Sequence, residues 1–496
     1  MQQFIQGFFQ AIDPRAAIYL LLGTFSGLLI GTLPGLTATM AVAILTPLTF
    51  WLPPNQGLAM LIGVWNSAIF SGGISAILIN TPGTPASIAS TFDGFALTKK
   101  GMAGLALGIN VVFSFVGGIL GVLALIVVGF PLARFALTFG PAEYFTLAIF
   151  GLSTMVAVSG RSILKGMIAG FLGFSISLIG LDPIFGSERF TFGRMELLNG
   201  ISFIPVMIGL FGVGEVFYQI FSRRQVVSTG TQPVTQLGRV VPTFKEIKDL
   251  TPVALLSALI GIIIGVIPGA GADIAGLVAW DQSKRVAKKP QEYGQGSLEG
   301  LTASTTANNA CLGGALTTMM ALGLPGDAVT AVLIGAFIMY GVQPGPVMFR
   351  DNASFVHMVI TLMVLANIAF LAVGFFVSKI LTKFLSLPQS FIWATIIILS
   401  LVGSYAINNS AFDLLIVFIS GVAGFVFRLL NVPLGPIVLA LILGPMAEAN
   451  MRRALILSRG SFTIFFTRPI SLVLIILSVI SLLTSTLKKK ATNGGR

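Results

Sequence analysis

Charge is what this chain has least of. Asp, Glu, Lys and Arg together make up 9% of the 496 residues against 55% hydrophobic residues, and none of the four occurs between Ala16 and Phe92. That balance excludes a soluble globular protein. A single cysteine, Cys311, means that no disulfide can close within the chain. A single histidine, His357, sits in an apolar run and is expected to be packed rather than to relay protons. No cluster with metal-ligand spacing, Walker-type phosphate loop or nucleophile elbow is present, so no cofactor, no metal and no enzyme activity are expected. Met1 to Pro14 has neither a basic leader nor a small-residue cleavage site, which predicts no removable signal peptide.

Glycine and proline, 57 and 24 of them, are abundant. A membrane span needs roughly 20 apolar residues, so the chain has room for about 10 to 14 membrane segments. Backbone groups freed by glycine and proline at that depth have to be satisfied inside protein or at a polar cavity. The net charge of +12 comes from 29 basic and 17 acidic residues. In a membrane protein such an excess sets orientation through basic cytoplasmic loops, so nucleic acid is not the expected partner.

One pattern occurs twice. Gly23, Gly27 and Gly31 lead to Pro34-Gly35; Ser257, Gly261 and Gly265 lead to Pro268-Gly269. Small residues four apart let another helix approach closely, and the Pro-Gly pair then stops the helix inside an apolar stretch. In each half a second break follows, Thr81-Pro82-Gly83-Thr84-Pro85 and then Leu324-Pro325-Gly326-Asp327. The later pairs Gly170/Gly173 and Gly421/Gly424 also correspond, as do the regions of Glu215 and Glu448. The expected fold is therefore an all-α polytopic membrane protein of two homologous repeats with broken helices or re-entrant hairpins, residues 16–221 and 251–487, joined by a basic cytoplasmic linker, 222–250. An odd number of spans per half would make the repeats inverted. Pro252 to Trp280 has basic flanks on both sides, which suits a hairpin returning to one face; a single broken crossing remains the alternative.

Broken intramembrane helices, once per half, are a transporter signature, and the breaks supply the candidate site. Helix N-termini behind the breaks would offer free N–H groups to an anion, with Thr37 and Thr39 adding hydroxyls. Asp273 and Asp327 are candidates for a coupling cation, sodium or proton. Ser75, Asn80, Thr81, Gly83 and Thr84, with Gly326 in the other half, are expected around the second pair of breaks. The polar run Ser304, Thr305, Thr306, Asn308 and Asn309 is expected to line the same pocket. Glu143, Glu215 and Glu448 lie at predicted span edges and are expected to be solvated.

These residues resemble the large membrane subunit, TctA, of the tripartite tricarboxylate transporters. The resemblance rests on Gly31-Thr-Leu-Pro34-Gly35, on Ser71 to Pro85, on Asp93-Gly94 and on Arg189-Phe-Thr-Phe-Gly193. It continues through Gly265 to Gly271, Ala307-Asn308-Asn309-Ala310, Leu322 to Gly326 and Gln343-Pro344-Gly345-Pro346. It implies a multi-pass permease subunit of the bacterial inner membrane that carries small di- or tricarboxylates by symport on an ion gradient. It also implies two partners, a small membrane subunit of about four helices and a periplasmic solute-binding protein. A gradient-independent channel or facilitator using the same pocket is the alternative function.

Overall fold

In the computed structural model, residues 2–158, 162–182, 184–222, 237–377 and 389–493 are described. They are helical apart from loops and one two-stranded antiparallel hairpin, Gly180–Leu181 with Glu188–Arg189. Seven helices are long and apolar enough to cross a membrane, and five apolar helices are shorter. The protein is a multi-pass membrane protein of the expected all-α class. Much of its apolar sequence is spent on half-length arms because the Pro-Gly breaks stop helices partway.

Each half builds two broken helices. In the first, Pro14–Thr32 breaks before Ala38–Leu45, and Pro54–Ile79 breaks before Ile88–Lys99. In the second, Phe244–Val266 breaks before Gly271–Val286, and Leu298–Leu322 breaks before Ala328–Met339. The arms of the third break fold back on one another, since the hydroxyls of Ser257 and Ser283 lie 3.3 Å apart. Of the two readings of Pro252 to Trp280, the re-entrant hairpin is the one observed. Its first arm begins at Phe244, within the stretch read as linker, because Thr243 and Glu246 cap it with reciprocal hydrogen bonds. Residues 223–236 of that stretch lie outside the described residues.

The repeats match contact for contact. A Cβ added to Gly27 would strike the backbone of Val64, and one on Gly31 that of Ala68; the counterparts are Gly261 on Ala307 and Gly265 on Cys311. Close approach at these points requires glycine. The halves are also inverted. Asp93, on the helix Ile88–Lys99, meets the residues that open Leu298–Leu322: its Oδ1 accepts the N–H groups of Gly294, Gly296 and Ser297 at 2.8 to 3.0 Å. At the other end Tyr340, which closes Ala328–Met339, donates to the Thr49 carbonyl at 2.7 Å, just ahead of Pro54–Ile79. The two long helices therefore start from opposite faces and run in opposite directions.

Outside this core the halves interlock. The helical stretch Phe203–Ser222 of the first half packs on Ala411–Leu429, and Gly435–Leu457 of the second packs on Pro141–Val158 and Ile163–Ser177. Ion pairs fasten both joints. Glu215 pairs with Arg428. Glu448 pairs with Arg189 at 2.5 Å and with Arg452 at 3.0 Å, and Arg452 also holds Asp182 at 2.6 Å. Glu143 accepts the Gly140 N–H and faces Arg468. The expectation that these three glutamates are solvated is thus corrected: all are buried, because the other half of the molecule brings an arginine to each. His357 is packed as expected, stacked on Phe130 and edge-on to Phe4.

Candidate functional site

All four breaks meet at one cavity of about 350 Å³. The first break contributes Thr37, Ala38 and Thr39, the second Thr84 and Pro85, the third Gly269 to Ile274, and the fourth Asp327 to Val329. The chain can turn there because Gly35 and Gly269 adopt φ of 90° and 81°, left-handed conformations that L side chains avoid. The third and fourth breaks are tied directly, the Gly269 N–H donating to the Gly326 carbonyl at 2.8 Å. In the first half the close approach is steric: a Cβ on Gly83 would lie 2.0 Å from the Gly31 carbonyl oxygen.

Helix beginnings dominate the wall. Thr37 caps Ala38–Leu45, its hydroxyl oxygen accepting the Met40 N–H at 3.1 Å. Asp327 caps Ala328–Met339, its Oδ1 accepting the Thr330 N–H and hydroxyl, each at 2.7 Å. The first residues of Gly271–Val286 and the turn Thr84–Pro85 face the same space. So do Pro433, Leu434 and Gly435, where Gly435–Leu457 begins. Each such end carries unpaired N–H groups and a partial positive charge of about half a unit. Asp273 stands exposed to the cavity, and its carboxylate has no protein partner among the described residues. Among the described residues the lining holds no acidic side chain besides Asp273 and Asp327, and no basic one. The lining also has apolar members, Ile69, Met155, Phe211 and Leu434.

The cavity brings together five of the residues expected from sequence: Thr37, Thr39, Thr84, Asp273 and Asp327. The others lie outside its lining. Asn80 is exposed and in the left-handed conformation that ends Pro54–Ile79, as Gly323 ends Leu298–Leu322. Thr81 is exposed beside it. Gly83 and Gly326 are spent on close helix contacts, and the buried Ser75 hydroxyl donates to the Gly72 carbonyl at 3.3 Å. Ser304, Thr305, Thr306, Asn308 and Asn309 form part of the continuous helix Leu298–Leu322 and are buried among helices. Thr305 donates back to Leu301, Ser304 meets Ser90 at 3.1 Å, and Asn309 donates to the Thr305 carbonyl. Asn308 donates to the Ala86 carbonyl at 2.6 Å, which steadies the turn behind Thr84. A polar run can satisfy itself against its own helix as well as against a ligand, and sequence alone does not separate the two.

Sequence reasoning missed the apolar members and the segment Pro433 to Gly435. A signal existed for the second, since Pro433-Leu434-Gly435 is a further proline-glycine interruption before an apolar run. Phe211 lies in the π-helical stretch Ile208–Val213, which carries no sequence mark. Asn66 was missed as well. It is the first-half counterpart of Asn309, donating to the Ile62 carbonyl at 3.0 Å as Asn309 does to Thr305, and its Oδ1 accepts from Asn367.

Residues 17–439 match the family model described as the tripartite tricarboxylate transporter TctA family. The chain is 34% identical over 490 residues to a protein of Agrobacterium vitis described as an uncharacterized 52.8 kDa protein in the TAR-I ttuC' 3' region, covering 98% of this chain and 96% of that one. A second protein of the same organism, from the TAR-II ttuC' 3' region, is 32% identical over 227 residues, covering 46% of this chain and 94% of its own length. No solved structure matches the chain. The matched region contains all four breaks of the cavity, and this chain belongs to the TctA family of tripartite tricarboxylate transporters.

Proposed function

We propose that this chain is the permease subunit of an inner-membrane importer that moves small di- or tricarboxylates on an ion gradient, receiving them from a periplasmic binding protein and working beside a small membrane subunit. The observation that carries this reading is the convergence of the four breaks on one cavity with helix N-termini around it and two carboxylates within it. The N-termini and the hydroxyls of Thr37, Thr39 and Thr84 suit the anionic ends of the substrate. Asp273 and Asp327 take the coupling cation, sodium or a proton, whose charge offsets their repulsion of the substrate. The cation lowers the cost of holding an anion beside the two carboxylates, so ion binding favours substrate binding, which is the requirement for symport.

The wall also divides into a hairpin-bearing side and a surrounding side made of Met155, Phe211 and Pro433 to Gly435. Movement of the first against the second would open the cavity to one face and then the other. The test is labelled succinate and citrate uptake into proteoliposomes holding the complete transporter, under imposed sodium or proton gradients. Gradient-driven uptake lost in Asp273→Asn supports the reading. Uptake indifferent to both gradients and to the binding protein would replace symport with facilitated diffusion.

A further inference from the structure

A second polar cavity, of about 480 Å³, lies at the far end of Leu298–Leu322. Tyr144, Gln343, Asn352, Asn450 and Arg453 supply its polar lining, and no acidic residue contributes among the described residues. Its charge is thus opposite to that of the central cavity. Arg453 follows Arg452 in one helix, where consecutive side chains point about 100° apart. Arg452 is drawn into ion pairs with Asp182 and Glu448, while Arg453 is exposed and has no acidic partner among the described residues.

The motif Gln343-Pro344-Gly345-Pro346 forms one side of this cavity. The Gly345 N–H donates to the Met320 carbonyl at 3.1 Å, which fixes the loop against the long helix. Gly345 has φ of 140°, and a Cβ there would meet nothing within 4 Å, so the glycine serves the backbone turn and not a tight contact. Gly323 lines this cavity and Asp327 lines the central one, so the fourth break runs between the two. The helix Leu298–Leu322 has 25 residues and is therefore about 37 Å long at ~1.5 Å per residue. Its first turn sits near Lys100 and the basic residues from Lys284 to Lys289, so the second cavity opens on the opposite, external face.

We propose that this outer cavity is a capture site for the carboxylate substrate, with Arg453 binding a carboxylate before the substrate passes the fourth break to the central cavity. It rests on the transport reading above for the identity of the ligand. A guanidinium matches a carboxylate with two parallel hydrogen bonds, and the neighbouring side-chain amides add neutral donors. A cavity that carries Arg453 and, among the described residues, no acidic side chain attracts anions that the two aspartates further in would repel.

The test uses the full chain in intact cells carrying the complete transporter, with Asn352→Cys as the probe; the native Cys311 is buried. The rate of labelling by a membrane-impermeant maleimide is measured with and without succinate or citrate. Severalfold protection, lost in Arg453→Gln, partly kept in Arg453→Lys and retained in Asp273→Asn, is the expected result. Labelling that succinate and citrate leave unchanged, or protection that survives Arg453→Gln, overturns the capture site while leaving the central cavity's role intact. Protection that disappears in Asp273→Asn but persists in Arg453→Gln likewise overturns it, since the effect would then arise from the central site.

Discussion

The two halves of this molecule share a backbone plan and differ in the chemistry they bring to it. Where the first half turns into the cavity with Thr39 and Thr84, the second turns in with Asp273 and Asp327. The matching contacts of Gly31 and Gly265, and the paired caps at Asn80 and Gly323, show that the scaffold beneath is the same. The difference teaches that an inverted repeat can supply geometry twice while one copy brings hydroxyls to the cavity and the other carboxylates. The halves are also held differently: the first break is tied outward, Gln219 donating to the Gly35 carbonyl at 3.2 Å and to Glu215 at 2.7 Å, whereas the third is tied inward to the fourth.

The largest effect should come from erasing the chemical asymmetry. Asp273→Asn or Asp327→Asn is expected to abolish gradient-driven uptake, whereas Thr39→Val or Thr84→Val should raise the half-saturating substrate concentration roughly three- to tenfold, the loss of one hydrogen bond. Uptake kinetics side by side would check this, and equal effects in both halves would break the division of labour.

Testing the shared scaffold comes next. Gly326→Ala would place a Cβ 2.5 Å from the Ala315 Cα, and Gly83→Ala one 2.0 Å from the Gly31 carbonyl oxygen. Both should destabilise the protein by about 1–3 kcal/mol or more. Thermal unfolding in detergent should show comparable losses for the two, whereas Gly170→Ala, in a helix and with the Val156 Cγ2 no nearer than 4.0 Å, should cost far less.

A smaller contrast concerns the joints. Glu215→Ala removes the charge partner of the half-buried Arg428, and about 2 kcal/mol of stability should be lost, the worth of a charge-assisted hydrogen bond. Glu448→Ala should cost less, because Asp182 remains to hold Arg189 and Arg452. Unfolding midpoints of the two variants measure the difference.

The smallest effect is a pH dependence confined to one face. The N–H groups of Phe185 and Ile184, and then Arg452, hold the Asp182 carboxyl below the usual carboxylate range. A group depressed in the folded protein contributes fully above its unfolded value, near pH ~4, and loses that contribution as the pH falls through its folded value. Protection of the amides of residues 184–189 against hydrogen exchange, relative to the intrinsic rate at each pH, should therefore fall on acidification below about pH 4, and Asp182→Asn should remove that dependence.

The breaks were legible in sequence because proline and glycine act locally: no partner is needed to stop a helix or to allow a positive φ. For the same reason the charged outliers Asp273 and Asp327 stood out against apolar surroundings. The polar run from Thr302 to Asn309 lies outside the cavity lining and bonds in part within its own helix and to Ala86, while the Thr302 and Thr306 hydroxyls and the Asn308 and Asn309 amide oxygens are buried with no hydrogen-bond partner among the described residues, a placement set by which helices pack against it. The glutamates at span edges misled for a related reason. Burial of Glu215 depends on Arg428, more than two hundred residues away, and no local pattern records that pairing.

What this sequence determined by itself was a membrane-embedded chain of two repeats, stopped at matching Pro-Gly pairs, with the family resemblance that the comparisons bear out. Composition and backbone stereochemistry suffice for that, since both act residue by residue. Only the tertiary structure decided that all four breaks converge on one cavity, that Met155, Phe211 and Leu434 complete its lining, and that Arg452 rather than Arg453 is drawn into ion pairs among the described residues. Those outcomes depend on how an inverted pair of repeats interlocks, and packing between distant segments is a property of the whole chain.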